Sequence, residues 1–177
     1  MDRITEMISE ERLEKRIREM AAEITADYAG RTITLVCILK GSVFFTCELA
    51  KRIDLPIFMD FLSVSSYGDA TKSSGMINIK KDLDEDIEGK DVLIVEDIID
   101  SGRTLNCLLT VFGERNPKSL AIATLLDKPD RREVDVEVKY SGFTIPDKFV
   151  VGYGLDYAQK YRDLPYIGVV ELDGQEA

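Results

Sequence analysis

The stretch from Asp91 to Phe112, DVLIVEDIIDSGRTLNCLLTVF, constrains the fold more than any other part of the chain. Its apolar run from Val92 to Val95 predicts a strand that is buried on both faces. Two acids, Glu96 and Asp97, follow that run, and apolar residues return at helical spacing from Leu105. The pattern is strand, loop and helix start. Such a loop lies at the carboxyl end of a parallel strand, where open α/β sheets bind their ligands.

The short polar loop before this helix favours a phosphate ligand. Its small residues would leave backbone N–H groups and the positive end of the helix dipole facing outward. The carboxylates at positions 96 and 97 would repel a phosphate unless they accept hydrogen bonds from hydroxyls or hold Mg²⁺, which prefers oxygen ligands. A phosphorylated sugar with a vicinal diol satisfies both demands. For each residue alone, an ordinary strand-to-helix turn with solvated acids is the alternative. The loop comprises Asp100, Ser101, Gly102, Arg103 and Thr104.

The rest of the chain alternates between strand and helix patterns. Ser9 is predicted to cap a helix that Gly30 ends. Strands are predicted at Thr32–Leu39, Pro56–Val64, Ser119–Asp127, Phe149–Gly152 and Ile167–Leu172, with a short edge strand at Val134–Val138. This alternation predicts an α/β fold with one doubly wound, mainly parallel sheet and a small hood built from the terminal segments. We expect a single domain over residues 1–177.

Composition excludes several classes of function. The net charge of −10 argues against nucleic acid, because nucleic-acid binding depends on clustered Lys and Arg. Histidine is absent, so imidazole metal sites are excluded and acid–base chemistry falls to other side chains. The three cysteines lack metal-ligand spacing, and no apolar stretch reaches the length of a membrane span. We therefore expect a soluble, cytoplasmic protein without a membrane partner.

Two further segments carry candidate site residues. Lys40 and Gly41 follow the strand that ends at Leu39, where a second phosphate group would bind, although a lone Lys in such a turn is more often solvated. The polar segment Ser65–Gly75 is either a floppy loop or a lid, in which Tyr67 would cover a ligand.

The run VLIVEDIIDSGRT closely resembles the 5-phosphoribosyl diphosphate (PRPP) binding motif of the type I phosphoribosyltransferases. Together with LKGS and several later motifs, it makes the chain similar to the hypoxanthine(-guanine) branch of that family over about Ile33 to Val170. Position 101 is often Thr in the family and is Ser in this chain.

The resemblance implies transfer of a phosphoribosyl group from PRPP to hypoxanthine or guanine, with release of pyrophosphate. Residues 100–104 would hold the 5′-phosphate, and Asp100 would be the base near purine N7. Glu96 and Asp97 would bind the ribose and Mg²⁺, and Asp156 a second metal. Pyrophosphate would contact Lys40, Gly41 and Arg162, under a lid that contains Ser66 and Tyr67. The purine would contact Lys128, Phe149 and Val150. The family match also implies a cis peptide bond between Leu39 and Lys40.

Within this resemblance, Lys128 determines which purine base the site accepts. An ammonium group only donates hydrogen bonds, so it suits the 6-oxo group of hypoxanthine or guanine and opposes the amino group of adenine. Xanthine or adenine preference is the alternative within the family, and we expect a homodimer or homotetramer.

Two rival classes stay open. A PRPP-sensing regulator on the same fold should show a basic face, which this acidic chain lacks. A nucleoside-binding methyltransferase would leave the phosphate loop without a purpose.

Overall fold

The computed structural model describes residues 3–66 and 77–171. Most of the predicted lid, including Tyr67, lies outside these residues. The elements within them are β1 (Arg3–Ile8), α1 (Glu10–Asp27), β2 (Ile33–Leu39), α2 (Val43–Ala50), β3 (Ile57–Ser66), β4 (Ile77–Lys81), β5 (Asp91–Ile99), α3 (Arg103–Gly113), β6 (Ser119–Asp127), β7 (Tyr140–Thr144), β8 (Val150–Val151) and β9 (Ile167–Glu171), with a 3₁₀ turn at Pro129–Arg131.

Six strands form the main sheet in the order β4-β3-β2-β5-β6-β7. All neighbours are parallel except the edge strand β4, which runs antiparallel to β3. The chain moves from β2 to β3 on one side and reaches β5, β6 and β7 on the other side. The gap between the ends of β2 and β5 is therefore the topological switch point, where sheets of this class bind ligands. The predicted doubly wound, mainly parallel sheet is confirmed.

Helices cover both faces of this sheet, as alternation along β5 requires. Leu93 and Val95 point to the face that α1 and α2 cover, where they join Leu13 and Phe45 in one core. Val92 and Ile94 point to the opposite face and pack with Leu108 and Phe112 of α3. A strand buried on both faces has almost no freedom to shift, because a one-residue slip would exchange the two sets of side chains.

The first helix begins as the sequence predicts. The Ser9 hydroxyl accepts a hydrogen bond from the Arg12 N–H at 3.3 Å, and Glu10 and Glu11 occupy the first turn near the positive dipole end. The buried face of α1 runs from Leu13 to Ile24 and packs on the sheet.

A small antiparallel sheet in the order β1-β9-β8 forms the hood that the sequence predicts. It pairs Ile4 near one end of the chain with Val170 near the other, and Val150 with Val169. The loop between β8 and β9 reaches the carboxyl end of β2, where a Cβ on Gly154 would lie 2.0 Å from the Gly41 carbonyl oxygen.

One predicted strand boundary and one predicted strand are wrong. Strand β5 does not end before Glu96 but continues to Ile99, because Ile98 and Ile99 pair with the last residues of β6. Residues 134–138 are not a strand. The Val134 N–H donates instead to the Ser101 carbonyl at 3.1 Å, and the parallel edge strand is β7.

None of the helices in residues 3–66 and 77–171 combines the length and the apolar character that crossing a bilayer requires.

Candidate active site

A cavity of about 280 Å³ opens at the switch point between the carboxyl ends of β2 and β5. Its walls come from three segments that sequence analysis singled out: the end of β2 with Gly41, the acids of β5, and the loop into α3. The lining residues are Ile38, Leu39, Gly41, Val64, Glu96, Asp97, Ile98, Ile99, Asp100, Ser101, Gly102, Thr104 and Leu105.

The loop from Asp100 to Thr104 has the geometry of a phosphate cradle. Gly102 is the N-cap of α3 with φ of +82°, a left-handed conformation that favours glycine. A Cβ at this position would lie 2.7 Å from the Val134 carbonyl oxygen, so the loop has no room for a side chain there. The first turn of a helix has backbone N–H groups without intrahelical partners, which suits an anion, and Thr104 and Leu105 of this turn line the cavity.

Arg103 differs from its neighbours in this loop. Its side chain is exposed and forms an ion pair with Glu133, and it is not among the cavity-lining residues. The remaining four residues of the predicted loop do line the cavity.

Glu96 and Asp97 are half-buried, and both line the cavity. Each carboxylate accepts a hydrogen bond from the backbone N–H of the next residue: Asp97 N–H donates to Glu96 Oε1 at 3.0 Å, and Ile98 N–H donates to Asp97 Oδ1 at 2.7 Å. Burial raises the pKa of Glu96 well above its usual value, and the neighbouring charge of Asp97 adds to the rise. Burial also raises the pKa of Asp97. Two crowded carboxylates of this kind are suited to binding a cation or sugar hydroxyls.

Gly41 lines the cavity and is packed between Asp97 and Gly154. A Cβ on Gly41 would come within 1.7 Å of Asp97 Oδ2, and a Cβ on Gly154 would come within 2.0 Å of the Gly41 carbonyl oxygen. The peptide bond from Leu39 to Lys40 is cis, which confirms the expectation from the family match.

Lys40 and Arg162, the two predicted pyrophosphate cations, meet at Gln159. The Gln159 Oε1 atom accepts from Lys40 Nζ at 3.2 Å and from Arg162 Nη2 at 3.3 Å. Arg162 also donates to the Gly154 carbonyl at 2.7 Å and pairs with Asp156 Oδ1 at 2.9 Å. The structure therefore joins these two cations, far apart in sequence, beside the Gly41 turn.

Asp156 does not join Glu96 and Asp97 in one ligand set. Within residues 3–66 and 77–171, no three Asp, Glu or Cys side chains converge as metal ligands. Asp156 pairs with Arg162 instead and accepts from the Gln159 N–H at 2.8 Å.

The predicted purine residues, Lys128, Phe149 and Val150, come from the part of the chain that follows β6. Lys128 is 8% exposed, and its N–H donates to the Ile99 carbonyl at 3.0 Å, which ties it to the end of β5. Phe149 is 48% exposed, so it is not a core residue, and its ring meets Tyr157 edge-on at 5.5 Å between centroids. Val150 is buried in the hood sheet next to Phe149. None of these three residues lines the cavity described above.

Ser66, the other predicted lid residue, is the exposed last residue of β3 and does not line the cavity.

Two contributors escaped sequence analysis. Gln159 accepts hydrogen bonds from the two cations, and Arg131 binds the Asp100 carboxylate at 3.2 Å. Tyr157, in the aromatic and charged segment between the last two predicted strands, contacts Phe149. A signal for Arg131 existed, because the pair Arg131–Arg132 follows Lys128 within four positions. Gln159 gave no comparable signal, since an exposed Gln in a loop is ordinary.

Comparison with known proteins places this site in context. The model of the phosphoribosyl transferase domain family matches residues 5–158. The hypoxanthine phosphoribosyltransferase of Salmonella typhimurium is 55% identical over 168 residues, 94% of this chain and 94% of that relative. The bifunctional protein TilS/HprT of Listeria innocua is 54% identical over 165 residues, and this chain spans 26% of its length. A crystal structure of a hypoxanthine-guanine phosphoribosyltransferase from Bacillus anthracis superposes with a TM-score of 0.92 at 47% identity, covering 96% of this chain and 100% of that chain.

Proposed function

Because the chain belongs to the phosphoribosyl transferase family, we propose that it is a purine salvage enzyme that transfers the phosphoribosyl group of PRPP to hypoxanthine and guanine. The products are IMP or GMP and pyrophosphate. One observation carries this proposal: the paired carboxylates of β5 and the phosphate cradle before α3 line the same cavity at the switch point. A phosphorylated sugar is the ligand that uses both features.

The donor binds along the strand ends. Its 5′-phosphate accepts from the N–H groups at the start of α3, over Ser101, Gly102 and Thr104. Its ribose hydroxyls donate to Glu96 and Asp97. Its diphosphate meets Lys40, Arg162 and the main chain of Gly41, which lies against Asp97 without an intervening side chain.

A divalent cation fits this donor set. Mg²⁺ is held in proteins by one or two carboxylates together with substrate phosphates, and Glu96 and Asp97 supply such a pair at the cavity wall. When bound, Mg²⁺ neutralises negative charge on the diphosphate leaving group. The two carboxylates orient the ribose whether or not they also hold the cation.

The transfer exchanges one bond at the anomeric carbon for another. The bond from that carbon to the diphosphate oxygen breaks with its electron pair leaving on pyrophosphate, and a purine nitrogen forms the new bond. Lys40 and Arg162 stabilise the charge that grows on pyrophosphate. The purine loses one proton, which the Asp100 carboxylate accepts near N7. Asp100 lines the cavity as the first residue of the phosphate loop.

Lys128 sets the choice of base. Its ammonium donates to the 6-oxo group of hypoxanthine or guanine, and nothing in a protonated Lys accepts from the 6-amino group of adenine. A site built on such pairing discriminates against the mismatched analogue by about 10⁴–10⁵. Phe149 stacks on the purine, and Val150 contacts its edge through the main chain.

The proposal includes an oligomeric state and a cellular location. A homodimer or homotetramer is supported by large apolar side chains that are exposed on α2 and β3: Phe44 at 44%, Phe58 at 64% and Met59 at 40%. Association of subunits would remove these side chains from water, which is favourable. We place the enzyme in the cytoplasm and treat residues 1–177 as one phosphoribosyltransferase domain.

A substrate assay tests the function directly. The purified protein is incubated with PRPP, Mg²⁺ and one of hypoxanthine, guanine, xanthine or adenine, and nucleoside monophosphate and pyrophosphate are measured. We expect equal amounts of both products with hypoxanthine and guanine, and loss of turnover when a chelator removes the metal. Preferential use of adenine or xanthine would contradict the base assignment. Binding of PRPP without turnover of any purine would favour the regulator class.

A further inference from the structure

The two groups assigned to the purine are linked by a chain of alternating charges. Asp100 Oδ1 accepts from Arg131 Nε at 3.2 Å. Arg131 Nη1 lies 3.6 Å from Asp147 Oδ2, and the other oxygen of Asp147 lies 3.8 Å from Lys128 Nζ. The order Asp100, Arg131, Asp147, Lys128 thus connects the proposed base with the proposed base-selecting residue.

We propose that Arg131 is a positioning residue that holds the Asp100 carboxylate toward the purine, with Asp147 supporting Arg131 from its other side. The inference rests on the proposed function, in which Asp100 takes the purine proton. Arg131 itself is not catalytic, because it acts through Asp100.

The segment that carries Arg131 is built against the phosphate loop. Glu133 and Val134 donate their N–H groups to the Ser101 carbonyl at 2.9 and 3.1 Å. Arg132 donates from Nε to the Asp100 carbonyl at 3.3 Å and pairs with Asp127 at the end of β6. The 3₁₀ turn Pro129–Arg131 starts directly after Lys128. Main chain and side chain of Asp100 are therefore both contacted from one short segment.

Asp100 needs such support more than a buried residue would. It is exposed at the mouth of the site, where a carboxylate without a partner rotates freely. A base must lie within hydrogen-bond reach of the proton that it accepts, and a misplacement of about 1 Å can cost about 10²-fold in rate. Arg131 contacts Oδ1, which leaves Oδ2 available for the proton. One guanidinium therefore fixes the orientation of the carboxylate without occupying its second oxygen.

Replacement of Arg131 tests the inference. Arg131→Met keeps an unbranched side chain and removes the guanidinium, and Arg131→Lys restores the charge. We expect Arg131→Met to lower kcat with hypoxanthine about tenfold while the KM for PRPP stays within about twofold, because only the base side changes. Arg131→Lys should recover part of the loss, and Asp147→Asn should lower kcat about threefold. Arg18→Met, which removes an exposed ion pair with Glu14 on α1, is the matched control and should behave as wild type.

A double-mutant cycle separates positioning from structure. If Arg131 acts through Asp100, Arg131→Met should cause no further loss in an Asp100→Asn background. Additive losses, or an unchanged kcat in Arg131→Met, would overturn the inference. Crystal structures of wild type and Arg131→Met give a readout that needs no turnover. The position of the Asp100 carboxylate should differ between the two structures, and the same position in both would also overturn the inference. An inactive wild type would instead refute the proposed function, and the structural comparison would still decide the inference.

Discussion

The two walls of the active site are built in different ways. The strand-end wall, from β2, β5 and the turn into α3, is carried by strands that parallel pairing holds in register, as between Cys37 and Val95. The late wall, from Lys128 to Arg162, consists of charged and aromatic side chains that meet across the sequence, as Lys128 and Asp147 do. Backbone donors suit a phosphate, which every phosphoribosyl donor carries. In the proposed function, donor binding depends on the sheet itself, whereas base recognition depends on exchangeable side chains.

The largest effect is expected from the strand-end wall. The double replacement Glu96→Gln with Asp97→Asn keeps both shapes and removes both charges. We expect kcat/KM for PRPP to fall by roughly 10³-fold, because cation binding and charge stabilisation near the diphosphate are lost together. Calorimetric titration with PRPP and Mg²⁺ measures the loss of binding.

The same variant should keep its fold. Burial raises the pKa of both carboxyl groups, so neutral amides fit their surroundings at least as well as carboxylates do. The thermal midpoint should therefore not fall. Retained PRPP affinity in a folded variant would contradict the assignment of the two acids, and unfolding would show that they also hold the strand ends together.

A smaller but sharper test adds one methyl group to the same wall. In Gly41→Ala, the new Cβ would meet Asp97 Oδ2 at 1.7 Å, so the acid or the turn must shift. We expect roughly 10- to 100-fold weaker PRPP binding and a loss of about 1–3 kcal/mol in the free energy of unfolding.

Gly113→Ala is the matched control, because a Cβ there has nothing within 4 Å at the end of α3. It should leave PRPP binding unchanged and stabilise the protein by up to about 1 kcal/mol. Denaturant titration should show that the two substitutions change the free energy of unfolding in opposite directions. A neutral Gly41→Ala would show that the strand-end wall is less rigid than its packing indicates.

Much of the strand-end wall was predictable from sequence. Apolar runs, the acids at 96 and 97 and the small residues of the loop follow one another in the chain, so local pattern located them together. The extent of β5 was missed because Ile98 and Ile99 pair with β6, which no local pattern reveals. The false strand at 134–138 has the same origin, since its backbone bonds go to Ser101.

The late wall was predictable only through the family resemblance. Lys128, Phe149 and Arg162 are separated by long stretches, and periodicity assigns none of them to a common site. Arg131 and Gln159 were missed altogether, because their partners Asp100 and Lys40 belong to the other wall. The cis bond before Lys40 likewise came from resemblance and not from any pattern in the residues.

On the late wall, Phe149→Ala tests base stacking. Base–aromatic stacking contributes about 1–3 kcal/mol, so we expect the KM for hypoxanthine to rise about tenfold with little change in the KM for PRPP. Thermal stability should change little, because the ring is 48% exposed. Arg18→Met, on the exposed surface of α1, is the control for kinetics. Steady-state kinetics with each substrate varied in turn would expose an effect confined to stability, which would return Phe149 to a packing role.

The smallest expected effect comes from Gln159, a residue that joins the two walls. Gln159 Oε1 accepts from Lys40 of the strand-end wall and from Arg162 of the late wall. The amide oxygen is neutral, so it holds both cations near each other without cancelling the charge that pyrophosphate needs. In Gln159→Ala, each cation gains freedom and must be ordered when the donor binds. A hydrogen bond to a charged group contributes about 1.5–3 kcal/mol when buried, and less at this exposed position.

We therefore expect Gln159→Ala to raise the KM for PRPP about three- to fivefold and to leave the KM for hypoxanthine unchanged. Asn106→Ala removes another exposed amide, on α3, and should have no effect on either value. Initial-rate measurements in both substrates distinguish the possibilities. A rise confined to the purine KM would place Gln159 in the late wall alone. Equal rises for both substrates would mean that the loop from Tyr153 to Arg162 moves as a unit, and the division of the site into two walls would then fail at this loop.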